Sequence, residues 1–260
     1  MSERSLNIEN QIGLLFDAAE CIGCGKCYEA CKKENNLPAT NKDFLKDHLS
    51  DKTYSVVEEY GSTYARKMCM HCIEPACVSV CPVGAFEKTS VGAILYDEDK
   101  CIGCRYCMQA CPHTVPRYEW GETSPAVKKC VLCYNRIKEG KLTACAEACP
   151  VEATICGKLP DLINEAKRRI KENPDRYYPH IYGLEEAGGS NVLIISPVPF
   201  EQLGYSSEIP KQAMPTFTMQ AMEKIPTVVS VGGLFLTGMY WLTKRKNQIA
   251  REEHNQLEGK

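Results

Sequence analysis

With 260 residues the chain is long enough for one large or two small domains with a real core. Its formal charge of −2, from 31 basic and 33 acidic side chains, leaves no basic footprint and speaks against a nucleic-acid partner. Seventeen cysteines are far above ordinary usage and call for either a disulfide framework or metal ligation.

Residues 1–8 carry no basic n-region, no apolar h-region and no twin arginine, so they are not expected to act as an export signal. Residues 13–17 (Gly-Leu-Leu-Phe-Asp) read as a short strand running into the first cysteine group, Cys21, Cys24, Cys27 and Cys31, with gaps of 2, 2 and 3. Lys32 follows, where a proline is expected. Residues 33–64 are polar, with Pro38 and the pair Asn35 and Asn36, and read as a surface insertion with a short helix and a strand at 54–57. The second group is Cys69, Cys72, Cys77 and Cys81, with gaps of 2, 4 and 3, followed by Pro82. Residues 85–88 and 93–96 flank Ser90, Val91 and Gly92 as a hairpin. The third group is Cys101, Cys104, Cys107 and Cys111 before Pro112, and the fourth is Cys130, Cys133, Cys145 and Cys149 before Pro150.

Cysteines two residues apart on tight loops are poor geometry for several simultaneous disulfides, so the spacing favours metal. The third group has the C-x2-C-x2-C-x3-C-P form used for iron–sulfur ligation, in which the fourth cysteine serves a different cluster from the first three. The groups also repeat. Residues 21–31 match 101–111, 81–85 match 149–153, and Leu15-Phe16-Asp17 matches Leu95-Tyr96-Asp97, which implies a duplication of roughly 1–90 and 91–157. Two halves with eight ligands each imply four 4Fe–4S clusters.

The short hairpin joining groups two and three pairs them: Cys69, Cys72, Cys77 with Cys111, and Cys81 with Cys101, Cys104, Cys107. Groups one and four then close around them: Cys21, Cys24, Cys27 with Cys149, and Cys31 with Cys130, Cys133, Cys145. The alternative, one with two and three with four, must span residues 32–68. Cys156 stands outside the scheme and reads as an inert thiol. His71 and His113 read as loop residues that could also tune a cluster. Gly23, Gly25 and Gly103 read as sites of close backbone approach.

Beyond residue 157 the pattern changes. Residues 160–172 form an amphipathic helix with Pro160 near its start, and Lys167, Arg168 and Arg169 on its solvated face. Residues 191–196 read as a strand, and 197–225, with four prolines, as an extended connector. Residues 225–243 contain no charge, end near Tyr240 and Trp241, and are followed by Lys244, Arg245 and Lys246, which is the pattern of one membrane span. The basic excess after the span puts the tail in the cytoplasm and the cluster domain on the periplasmic side of the inner membrane. With no signal of its own, the domain would be exported with a partner that has one. The expected organisation is α+β: a nested pair of ferredoxin-like domains over 1–157, a helix–strand extension over 158–200, a connector over 201–224, a transmembrane helix over 225–243 and a basic tail over 244–260.

The four spacings resemble those of the four-cluster ferredoxin subunits of membrane-bound molybdopterin oxidoreductases and related hydrogenases, over about residues 10–200. All four members of the third group are cysteine here, whereas dimethyl-sulfoxide-reductase-type subunits carry Trp at the third. The span after Ala187-Gly188-Gly189-Ser190-Asn191 is similar to two branches, hydrogenase-2-type iron–sulfur subunits and formate dehydrogenase β subunits. The resemblance implies an electron-transfer subunit with no catalytic residues of its own. It also implies a large catalytic partner (NiFe or molybdopterin) and an integral membrane subunit that is quinone-reactive or carries haem b. Two rivals stand beside it. A zinc-stapled adaptor would use local cysteine pairs but leaves the Cys-Pro repeats unexplained. A self-standing enzyme would need a nucleophile–base constellation or a phosphate loop, and the sequence carries neither.

Overall fold

The computed structural model describes residues 8–40, 43–123 and 125–258. The reading of the N-terminus as no export signal concerns mainly residues 1–7, which lie outside the described residues. The chain divides into a unit ending at Pro215 and a unit beginning at Thr216. In chain order the first holds β1 (Ile12–Asp17), α1 (Lys26–Glu34), β2 (Ser55–Tyr60), β3 (Thr63–Met68), α2 (Ala76–Ser79), β4 (Phe86–Lys88), β5 (Ile94–Tyr96) and α3 (Tyr106–Ala110). It continues with β6 (Arg117–Tyr118), β7 (Val127–Lys128), α4 (Tyr134–Lys138), α5 (Ala144–Glu147), β8 (Thr154–Lys158), α6 (Leu159–Glu172) and β9 (Val192–Ile195). One long helix, α7 (Met214–Glu258), accounts for the second.

β1 is the middle strand of a three-stranded sheet, antiparallel to β8 and parallel to β9. Side chains of a strand alternate between faces, and here both faces are covered. Leu14, Phe16, Val192 and Ile194 join a core with Met68, Met70, Cys69, Cys130 and Cys145. Leu15, Leu193 and Ile195 join Leu159, Leu162, Ala166 and Tyr177, the apolar stripe of α6 and its exit. Asp17, fully buried at the end of β1, accepts from Tyr177 Oη at 2.8 Å, Arg169 at 2.9 Å and the N–H of Ala19 at 3.0 Å. Arg169 is therefore no solvated charge, as its neighbour Arg168 is; it fastens α6 to β1.

In the packing, α1 lies against α5, and α2 against α3. The hairpin between groups two and three forms as expected, β4 with β5, Phe86 opposite Tyr96.

Two expectations need correction. The insertion is only partly on the surface. β2 and β3 form a six-residue-pair hairpin closed by Gly61 at φ 61°, and Val56, Val57, Ala65 and Arg66 are all buried. Its buried polar residues hid the strand pattern: Ser55, Thr53 and Arg66 look like surface positions but find partners inside. Nor are residues 197–225 an extended connector. Phe200–Leu203 is a 3₁₀ turn, Phe200 and Tyr205 stack on Tyr182, and α7 has begun by Met214. Pro215 lies in the first turn of α7, where its missing N–H costs nothing.

Within α7, residues Met214–Glu252 have a mean hydropathy of 1.4 over their apolar window, and none of that window is buried in the chain. Thr237 and Thr243 return their hydroxyls to the carbonyls of Gly233 and Met239 at 2.7 and 2.9 Å. These two hydroxyls are thus satisfied within the helix, as lipid requires. It is long and apolar enough to cross a membrane.

Candidate functional site

The four cysteine groups share one backbone device. The residue before the second cysteine lies in the left-handed region every time: Gly23 at φ 64°, His71 at 49°, Gly103 at 70° and Leu132 at 56°. This turn bends the loop back on its first cysteine. Gly103 and Leu132 donate their N–H groups to Cys101 Sγ at 3.4 Å and Cys130 Sγ at 3.3 Å. Glycine takes this conformation freely, while His71 and Leu132 each bear a strain of about 1–2 kcal/mol. Both are fully buried, which offsets it.

A second device follows the fourth cysteine. In three groups a proline starts a turn that ends, two residues on, at a positive φ: Gly84, Thr114 and Glu152, whose N–H groups return to the carbonyls of Cys81, Cys111 and Cys149. After Cys31 there is no proline, and α1 simply runs on to Glu34.

The loops bring the sulfurs into four gatherings. Cys21 lies within electrostatic reach of Cys27, Cys149 and Cys24. Cys31 has Cys145 and Cys133 beside it, and Cys130 faces Cys31 and Cys133. Cys72 has Cys69, Cys111 and Cys77. Cys107 has Cys101 and Cys104, and Cys81 packs on the apolar cluster that holds Cys107. Around the first gathering is a small cavity lined by Phe16, Gly23, Val57, Ala153 and Thr154. Around the second is one of similar size, lined by Leu14, Asn35, Ser55, Arg66 and Thr143. Neighbouring gatherings also lie within electrostatic reach of one another: Cys27 of Cys145, Cys130 of Cys69, and Cys77 of Cys107. Cys24 and Cys104 are exposed, whereas Cys31, Cys69, Cys77, Cys107, Cys130 and Cys145 are buried. Cys156 faces Leu14 across the β1–β8 ladder.

Burial dominates the thiol chemistry. It pushes Cys21 up to about 11, and Cys31 and Cys77 up to about 12, with neighbouring thiols adding to the rise. So many buried thiols are poorly placed to ionise without metal, and metal must displace their protons. Cys145 is the exception: burial raises it, but the Arg66 guanidinium beside it holds it below the usual thiol value.

The residues fit iron–sulfur clusters. Each cysteine group along the chain has one N–H aimed at a sulfur: Ala85 to Cys81 Sγ at 3.2 Å and Asn35 Nδ2 to Cys31 Sγ at 3.7 Å, besides the two above. His71 Nδ1 accepts from the Ile94 N–H at 3.0 Å, so Nε2 carries the hydrogen, and that buried atom has no protein partner. A sulfide is the kind of acceptor it lacks. Among the described residues no three His, Cys, Asp or Glu side chains draw together as for a single metal ion. A cube spreads its thiolates more widely than a zinc ion does.

Residues 61–159 match the family model of a 4Fe-4S dicluster domain, and residues 21–35 that of a 4Fe-4S binding domain. Among similar proteins is one from Nitratidesulfovibrio vulgaris (strain Hildenborough), 40% identical over 94% of this chain and 70% of its own length. Hydrogenase-2 operon protein HybA of Escherichia coli O157:H7 is 37% identical, over 75% of this chain and 73% of its own. The arsenate respiratory reductase iron-sulfur subunit ArrB of Shewanella sp. (strain ANA-3) is 31% identical, over 62% of this chain and 87% of its own. Fold and cysteine loops together define a ferredoxin-type protein that binds 4Fe–4S clusters. The chain belongs to the family of iron–sulfur electron-transfer subunits of oxidoreductases, which carry electrons and leave catalysis to another subunit.

Sequence reasoning missed Arg66, Asn35 and the positive-φ roles of His71 and Leu132. A signal for Arg66 existed, since an arginine within a strand-like run three residues before Cys69 is out of place on an exposed edge.

Proposed function

We propose that the chain is a four-cluster electron wire, anchored in the membrane, between a large catalytic subunit and an integral membrane subunit. The first cube is held by Cys21, Cys24, Cys27 and Cys149, and the second by Cys31, Cys130, Cys133 and Cys145. The third is held by Cys69, Cys72, Cys77 and Cys111, and the fourth by Cys81, Cys101, Cys104 and Cys107.

One observation carries this reading. The gatherings follow one another in a row, first to second through Cys27 and Cys145, second to third through Cys130 and Cys69, third to fourth through Cys77 and Cys107. The exposed cysteines, Cys24 and Cys104, fall at the two ends. Beside them stand exposed apolar side chains, Ile22 at 57% at one end, Ile102 at 65% and Tyr106 at 57% at the other. Electrons then enter and leave where cysteine loops meet partners, and the middle cubes stay insulated.

Bound clusters supply one-electron redox steps, with potentials set by hydrogen bonds, charge and exposure. The protein's own part is to hold the thiolates, to donate N–H groups to sulfur, and to keep water from the middle of the row. The similarity to HybA favours a hydrogenase-type catalytic partner over a formate dehydrogenase. The basic residues after the span favour a cytoplasmic tail and a periplasmic cluster domain.

Gentle detergent extraction should bring the chain out with a large catalytic subunit. Protease outside intact spheroplasts should cut residues 8–213. Isolation of the chain without a partner, turning over a substrate by itself, contradicts the wire; an untouched cluster domain contradicts the orientation.

A further inference from the structure

Arg66 on β3 is 2% exposed, and its strand register sets it opposite Val57. Its Nε donates to Ser55 Oγ at 3.0 Å and one terminal nitrogen to Thr154 Oγ1 at 3.2 Å. Arg66 and Ser55 line the cavity at Cys31, Cys130, Cys133 and Cys145, while Val57 and Thr154 line the cavity at Cys21, Cys24, Cys27 and Cys149. The guanidinium therefore stands in the wall between the first two cages. The acidic groups that face it are the thiols of Cys145, Cys27 and Cys31, and no carboxylate accepts either of its two hydrogen bonds.

A buried cation without a carboxylate is costly unless other anions answer it. Thiolates of two cages can. An arginine keeps its charge at any working pH, so it acts as a fixed positive charge.

We propose that Arg66 is the positioning residue that tunes the first and second cubes together, raising the reduction potential of both relative to a neutral side chain at the same place. Reduction adds one electron to a cube, with no bond made or broken, and deepens its negative charge. Arg66 stabilises that reduced form on both sides of the wall. The third cage has a cation of its own: Lys129, 4% exposed, bonds the carbonyls of Ile94 and Cys130 and faces Cys77 and Cys111.

The inference rests on the four-cube reading, but the two fail differently. That reading fails on iron content, and this one on potentials at full iron content. The test is a redox titration followed by electron paramagnetic resonance on the complex as purified, comparing wild type with Arg66→Gln and Arg66→Lys. Arg66→Gln should weaken reduction of two clusters at least tenfold, about 59 mV for a one-electron couple, and leave the other two in place. Arg66→Lys should recover most of the shift. Should Arg66→Gln shed iron, Thr154→Val serves instead, freeing one arm of the guanidinium; the same two potentials should move, by less. Unchanged potentials in the variant that retains iron, four clusters shifting alike, or a Lys variant shifted as far as Gln would overturn the proposal.

Discussion

Lys32 occupies the position where the other three groups have proline, and the structure gives it a task. Its ammonium, on a side chain 9% exposed, lies within 2.9 Å of Pro38 O, Thr40 Oγ1, Lys52 O and Thr53 Oγ1, with Asp47 at 3.7 Å. One residue thus ties the loop before β2 to α1. Because buried acceptors left without a donor cost about 1–3 kcal/mol, Lys32→Met should loosen residues 38–53 by an amount of that order. Hydrogen exchange is the measurement: faster exchange confined to 43–53 supports the tie, and unchanged exchange there contradicts it. Lys32→Pro, which restores the spacing of the other groups, should do no better, since the ring would cut α1 two residues before its end at Glu34.

At the scale of the element, the tight loops ask for the same backbone but tolerate different residues. Gly23 and Gly103 are equivalent by repeat, yet a side chain would not be equally costly. A Cβ at Gly23 would fall 2.4 Å from the Tyr64 ring, while one at Gly103 would meet only the Tyr118 hydroxyl at 2.7 Å. Both also have a positive φ. Gly23→Ala should therefore shed the first cube, about a quarter of the iron, and Gly103→Ala appreciably less; equal losses would show that strain, not contact, governs the loop.

The cysteine groups, the hairpin β4–β5, the helix α6 and the strands β1 and β9 were legible because each follows a spacing or a period that the chain writes locally. The positive φ at His71 and Leu132 was not, since only glycine advertises that conformation. The burial of β2 and β3 was not legible either. Arg66 and Ser55 satisfy each other and Thr154, 88 residues beyond Arg66, so the pattern becomes apolar only once the chain has closed. In residues 197–213, three prolines and three charges mask Phe200, Leu203 and Tyr205, which enter the core only once the chain has closed, Phe200 and Tyr205 against Tyr182.

Across the whole molecule, a duplication would account for the order of the proposed row. The inner groups, two and three, are joined by a short hairpin, and the outer groups, one and four, meet through α1 and α5 and through β1 and β8. In the proposed wire each fourth cysteine crosses to the partner loop, so every cube would staple two distant stretches of chain. Metal loading and folding are then one process, as the raised thiols also require. The most direct test of the central claim is the iron and acid-labile sulfide content of the purified full chain. Four cubes predict about sixteen of each per chain. A content near eight, or two to four zinc ions in their place, would contradict the four-cluster wire.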